Sequence, residues 1–134
     1  MEPIRNGETI FKLGQKQVPS PPDFSRMTIT TIYLSRDEYA VLAALEAREL
    51  DKIRYQIEHD GCVFSVDVFE GHLTGLLLAE LGFETPEQID RVLDLPPWVI
   101  REVSDDQRFT GGALAGLSAV QAAELIRQVR TPQQ

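Results

Sequence analysis

Cysteine occurs once, at Cys62, in a chain of 134 residues. A lone cysteine excludes an internal disulfide framework and a cysteine-based zinc site, and it suits a reducing compartment. No apolar run approaches the about 20 residues needed to span a membrane. The start, Met-Glu-Pro-Ile-Arg-Asn-Gly, has no apolar stretch behind its basic residue and does not read as a signal peptide. A cytoplasmic location without membrane contact is the expectation. Histidine is scarce too: His59 and His72 form no His-x-x-x-His spacing and read as turn residues. Cations are short overall, with 13 Lys+Arg against 21 Asp+Glu and a net charge of −8. A uniformly acidic protein makes a poor general nucleic-acid binder, so no nucleic-acid partner is expected.

What is there is one domain's worth of chain, 43% hydrophobic and 25% charged, as in a globular protein. Residues 1–134 are read as a single domain. The charge is unevenly placed. Residues 1–54 hold 8 basic and 8 acidic side chains, and residues 55–134 hold 5 and 13. A cationic surface facing an anionic one is what a site for phosphate plus a divalent metal requires. The same numbers also describe an ordinary solubilising acidic surface.

The periodicities predict short strands with a few helices. Strands are expected over 8–14, 25–34, 51–58, 62–69 and 73–81, and a short strand or extended segment over 98–103. Three prolines make 18–23 a loop, and His59-Asp60-Gly61 is a hairpin signal. Ser35 with Glu38 three residues on has the form of a capping box and opens a helix over 36–48. Thr85 caps a helix over 86–93 with Pro86 in its first turn. Ser118 caps a last helix over 119–129, with Val120, Ala123, Leu125 or Glu124, and Ile126 at helical spacing. Gly111-Gly112 reads as a turn, since no Lys-Ser/Thr follows to make a phosphate loop. Trp98 reads as a packing anchor. Together these indicate a mostly antiparallel α+β fold.

The strand faces carry the chemistry. Lys52, Arg54, Gln56 and Glu58 share one face of their strand, and Ile53, Tyr55 and Ile57 the other. Cys62, Phe64, Val66 and Val68 oppose Ser65 and Asp67. A half-exposed sheet gives this alternation as well. Turned inward, these faces would enclose charges, which are costly unless paired or liganded.

The ordered set KIRY (52–55), VDVFEGHLTGLLLAE (66–80) and PPWVIREVSDDQRFTGGALA (96–115), with FKLGQK (11–16) and TTIYLS (30–35), resembles the CYTH family, the triphosphate tunnel metalloenzymes. That family includes class IV adenylyl cyclases, thiamine triphosphatases and inorganic triphosphatases. The resemblance covers roughly residues 8–115. It implies an antiparallel β-barrel whose tunnel cations grip a triphosphate and whose carboxylates hold Mg²⁺ or Mn²⁺. By matched position, Lys12, Lys52, Arg54 and Arg108 would contact phosphate, with Lys16 a weaker candidate because it falls past the end of the expected strand over 8–14. Asp67, Glu80 and Glu102 would be metal ligands or orienters of the cations. Lys/Arg hydrogen bonds to phosphate are strengthened by charge, and carboxylates alone would repel it.

The chain departs from the family pattern in named places. No N-terminal Glu-x-Glu-x-Lys strand is present, Arg5 is at best a remnant of the next one, and Gly82 replaces the second Glu of Ala-Glu-x-Glu. The expected architecture is therefore an incomplete barrel of about six strands with helices packed outside. The expected function is binding of a triphosphate-containing small molecule with a divalent metal, related to triphosphate hydrolases but weak or inactive in this chain. The alternative is a non-catalytic interaction module or truncated relic, with an open sheet edge that pairs with a second copy.

Overall fold

The computed structural model describes residues 4–5, 7–19, 27–82 and 95–131. The expected helix over 86–93 lies outside the described residues. The chain divides into two units, residues 1–48 and 49–134, and each is described by itself.

In the first unit, β1 (Ile4–Arg5) and β2 (Glu8–Thr9) form a minimal hairpin turned at Gly7, whose φ is +77°. The expected strand over 8–14 is broken after Thr9 and resumes as β3 (Phe11–Gln17). β3 pairs antiparallel with β4 (Thr28–Leu34) from Phe11↔Leu34 to Gln17↔Thr28. The strand thus runs past Gly14, and Lys16 lies within it rather than past its end. Lys12 and Lys16 share one face of the hairpin with Tyr33, Thr31 and Ile29.

Helix α1 (Arg36–Ala43) follows directly. Its capping box forms as expected: the Glu38 amide donates to Ser35 Oγ at 3.2 Å, and the Ser35 amide to Glu38 Oε1 at 3.0 Å. Those bonds from Ser35 hold the Glu38 carboxyl below its ordinary value. The helix stops short of residue 48. Glu46 and Glu49 would stand at a helix C-terminus, where the macrodipole disfavours anions. Phe11 fastens the helix to the hairpin. Its ring is 4.8 Å from that of Tyr39, and the Arg36 guanidinium sits 5.2 Å over it.

In the second unit, β5 (Lys52–His59), β6 (Cys62–Phe69) and β7 (Leu77–Leu81) form an antiparallel sheet in the order β5-β6-β7. The β5–β6 turn is the two-residue Asp60-Gly61, with φ of +49° and +75°. Positive φ at both positions matches the right-handed twist of the strands. The expected strand over 73–81 is only its second half. Gly71–Leu73 is a 3₁₀ turn, and Gly71 and Gly75 take φ of +64° and +102°. These bends drop Leu73 and Leu76 into the core, so the chain becomes a strand again only at Leu77.

That core joins Phe69, Leu73 and Leu76 to Phe109, Leu114, Ala122 and Leu125. Phe109 comes from a 3₁₀ turn (Gln107–Phe109), Leu114 from α2 (Gly111–Ala115), and Ala122 and Leu125 from α3 (Ala119–Arg130). Full burial of a Leu such as Leu73 or Leu114 is worth about 1.5–3 kcal/mol. Two sequence expectations are corrected here. Gly111-Gly112 opens α2, because Thr110 Oγ1 accepts the Ala113 amide and caps a helical turn. The buried stripe of α3 is Ala122, Leu125, Ile126 and Val129, and Val120 is exposed. Ser118 sets this phase by capping the helix through Gln121.

Residues 98–103 form no strand. Pro97 and Trp98 make a turn, closed by the Val99 amide on Pro96 O at 3.0 Å. Trp98 is a packing residue, edge-on to Phe64 at 5.5 Å. The described strands make three antiparallel sheets of two, two and three strands, and none of them closes on itself. The fold is mixed α+β with antiparallel sheets. The barrel remains an expectation of the resemblance.

Candidate functional site

The register of the three-stranded sheet decides which side chains meet. Directly opposed residues of antiparallel strands point to the same face. One row is therefore Arg54, Asp67 and Leu78, flanked by Lys52 with Phe69 on one side and by Gln56, Ser65 and Glu80 on the other. The opposite face carries Ile53, Tyr55 and Ile57 beside Val68, Val66 and Phe64. The sequence alternation set this partition, and the hairpin turn set the register.

Asp67 is the hub. Its side chain is 2% exposed and lies between two cations that remain partly accessible, Lys52 at 24% and Arg54 at 44%. Arg54 grips it in a fork, Nε to Oδ1 at 2.6 Å and Nη2 to Oδ2 at 2.8 Å. Lys52 Nζ donates to the same Oδ2 at 2.7 Å. The Lys52 ammonium also lies 5.7 Å from the centre of the Phe69 ring. Burial pushes the Asp67 carboxyl up, but the hydrogen bonds and charges of Arg54 and Lys52 outweigh it and hold the group below its usual range. The bond to Asp67 raises Arg54 in turn. Glu80 is peripheral, 3.9 Å from Arg54 Nη2 and mostly exposed. Gln56 Nε2 donates to Ser65 Oγ at 3.2 Å and completes the polar face.

The other sequence candidates lie elsewhere. Lys12 is exposed on β3 of the first unit, on the same face as Lys16. Arg108 is committed to structure: Nε and Nη2 bond Asp106, and Nη1 donates to Gln128 on α3 at 3.1 Å. Glu102 is exposed, and its Oε1 accepts from Ser104 Oγ at 3.3 Å. So Lys52, Arg54, Asp67 and Glu80 are brought together, whereas Glu102 bonds Ser104 and Arg108 bonds Asp106 and Gln128. Asp106 was missed from the sequence. The signal was an Asp two residues before an Arg, which caps the 3₁₀ turn as well as holding the guanidinium.

The donor set among the described residues does not fit a divalent ion. Among the described residues, no three His, Cys, Asp or Glu side chains gather into a group that could hold one. Mg²⁺ demands near-octahedral oxygen ligation at about 2.0–2.1 Å, and both Asp67 oxygens already accept from cations. What the arrangement can do is present two adjacent cations, pre-set by a shared carboxylate, to an anion. Charge-assisted bonds of this kind are the strong ones, and Arg forks suit phosphate oxygens.

The known proteins to which the chain is similar carry the name inorganic triphosphatase. No family model matches the chain. It is similar to an inorganic triphosphatase of Nitrosomonas europaea, 37% identical over 93 residues, which are 61% of this chain and 61% of the relative. An inorganic triphosphatase of Acetivibrio thermocellus is 35% identical over 65 residues, 48% of this chain and 40% of that protein. The crystal structure of the inorganic triphosphatase NE1496 superposes with a TM-score of 0.52 at 34% identity, covering 66% of this chain and 61% of that one. The chain thus spans about three-fifths of the length of the first relative. Among the described residues no helix is long and apolar enough to cross a membrane.

Proposed function

We propose that this chain is a triphosphatase-related domain of CYTH type that binds a triphosphate-containing anion at the Lys52–Arg54 face. The observation that carries this reading is the Lys52–Asp67–Arg54 arrangement, in which a buried carboxylate keeps two accessible cations adjacent. Likeness to proteins named inorganic triphosphatase makes inorganic triphosphate the first substrate to try. Arg108 is a secondary phosphate candidate in this reading and would first have to leave Asp106, and Lys12 stays a candidate by matched position alone. The expected Mg²⁺ or Mn²⁺ lacks a donor set among the described residues. The function proposed is therefore anion binding, with hydrolysis weak or absent, and no catalytic step is routed through a metal. Lys52→Ala/Arg54→Ala is expected to abolish a triphosphate-dependent rise in melting temperature. Equal rises in the parent and the double variant would refute the site. Phosphate release by the parent above that variant, with Mg²⁺ or Mn²⁺ supplied, would refute the inactive reading.

A second reading has its own observation. On the apolar face of the β5–β7 sheet Phe64 and Val66 are buried but Ile53, Tyr55, Ile57 and Leu77 are exposed, and among the described residues β5 and β7 each have one free edge. Pairing with a second copy would use that edge. Concentration-dependent dimerisation in light scattering supports it, and a strict monomer opposes it.

A further inference from the structure

We infer that Asp67 is the positioning residue of the anion site, a fixed counter-charge that holds Lys52 and Arg54 side by side, and is not a metal ligand. This rests on the anion-site reading given above. Three features carry it. Both carboxylate oxygens are occupied, Oδ1 by Arg54 Nε and Oδ2 by Arg54 Nη2 and Lys52 Nζ. The side chain is almost wholly buried, whereas Glu80 and Glu102 stand exposed. A dication placed on Oδ2 would sit against an ammonium and a guanidinium that already lie 2.7 and 2.8 Å from that oxygen.

The role follows from electrostatics. Lys52 and Arg54 project from alternate positions of one strand to the same face, and their like charges repel. A flexible lysine stem and an exposed guanidinium would otherwise swing apart into water, where ordering them again costs side-chain entropy. Asp67, directly across the strand pair from Arg54, removes both problems. It fixes the guanidinium plane through a two-point grip, and it binds the ammonium at the oxygen shared with Nη2. The cations are thus ordered before an anion arrives, which is how pre-organisation raises affinity.

The inference makes a prediction opposite to simple charge counting. Asp67→Asn removes a negative charge and should tighten anion binding if net charge alone governed it. The positioning role requires that it weaken binding. The experiment is calorimetric titration of the full chain with inorganic tripolyphosphate, in EDTA and again in Mg²⁺. Asp67→Asn is expected to weaken binding several-fold and to the same degree in both buffers. Unchanged or tighter binding in EDTA overturns the inference, as does a loss seen only with Mg²⁺. The loss is also expected to shrink in an Arg54→Ala background, because the two residues act as a unit. A purely structural role would leave the two losses additive and so overturns it.

A second measurement needs no variant. The Asp67 carboxyl carbon resonance of the parent protein is followed by NMR through a Mg²⁺ titration. No movement supports the counter-charge role, and a saturable shift overturns it. If the parent binds no tripolyphosphate, or the Lys52→Ala/Arg54→Ala variant binds it equally, the anion site itself fails. The role of Asp67 toward Lys52 and Arg54 is then overturned as positioning for an anion, while the carboxyl resonance still decides whether it ligates metal.

Discussion

The β3–β4 hairpin and the β5–β7 sheet use the same alternation of apolar and polar residues, yet their cations live in different surroundings. Lys12 and Lys16 project from the hairpin into water, and among the described residues they pair with no carboxylate. Lys52 and Arg54 project onto a face where Asp67 is buried against Phe69 and Leu78 at the rim of a packed core. Asp67 lies on the central strand, paired on both sides, and is almost wholly out of water, which strengthens every charge around it. A cation on a two-stranded ribbon is a surface charge, whereas one beside a buried carboxylate has a defined direction.

The strongest way to break this comparison is to remove the core that backs the sheet. Leu73→Ala is expected to lower the stability of the second unit by about 2–5 kcal/mol, since it empties a fully buried site between β6, β7 and α3. Urea unfolding followed at Trp98 checks this. A loss under about 1 kcal/mol would mean that the sheet does not depend on that core.

Next in size is the hub itself. Asp67→Ala leaves two cations beside an empty buried position and is expected to cost about 3 kcal/mol, the lower end for breaking a buried ion pair, because both cations are partly solvated. The same group has a pH signature. Its folded-state pKa lies below the unfolded value, so its contribution is full above the ordinary carboxylate range. It is lost as pH falls from there through the lowered folded value. Denaturant titrations from neutral to acid pH should show the parent losing stability in that window. Asp67→Ala should lose less there, and parallel curves would count against the Arg54–Asp67–Lys52 linkage.

A smaller effect tests how α3 is phased. Ser118→Ala removes the cap that pairs with Gln121 and is expected to cost about 1 kcal/mol by thermal melting. The smallest belongs to the hairpin. Lys12→Ala is expected to change stability by no more than about 0.5 kcal/mol, as for an exposed residue without partners. A larger change would show that Lys12 has surroundings like those of Lys52 and would erase the contrast.

Local chemistry was legible wherever the signal is carried by neighbours in sequence. The Ser35 capping box, the Asp60-Gly61 turn, the strand over 62–69 and the two faces of 52–58 all formed as their residues dictate. Misreadings arose where distant packing overrides a local pattern. Leu73 and Leu76 look like strand residues, but two glycines at positive φ let them turn into the core. Val120 looks like the start of a buried stripe, but the cap at Ser118 and the core partners select Ala122. Lys16 was placed past a strand end because the length of β3 depends on its partner β4.

The sequence by itself determined the polar and apolar faces, the caps and the tight turn, because each follows from side chains one to four residues apart. Through the family resemblance it also offered Lys52 and Arg54 as phosphate contacts and Asp67 as an acidic partner. Only the tertiary structure decided what these residues do. The pairing of Arg54 with Asp67 depends on strand register, and the burial of Asp67 on its place in a central strand paired with β5 and β7. Those two facts turn a carboxylate that could have held a metal into one already held by two cations.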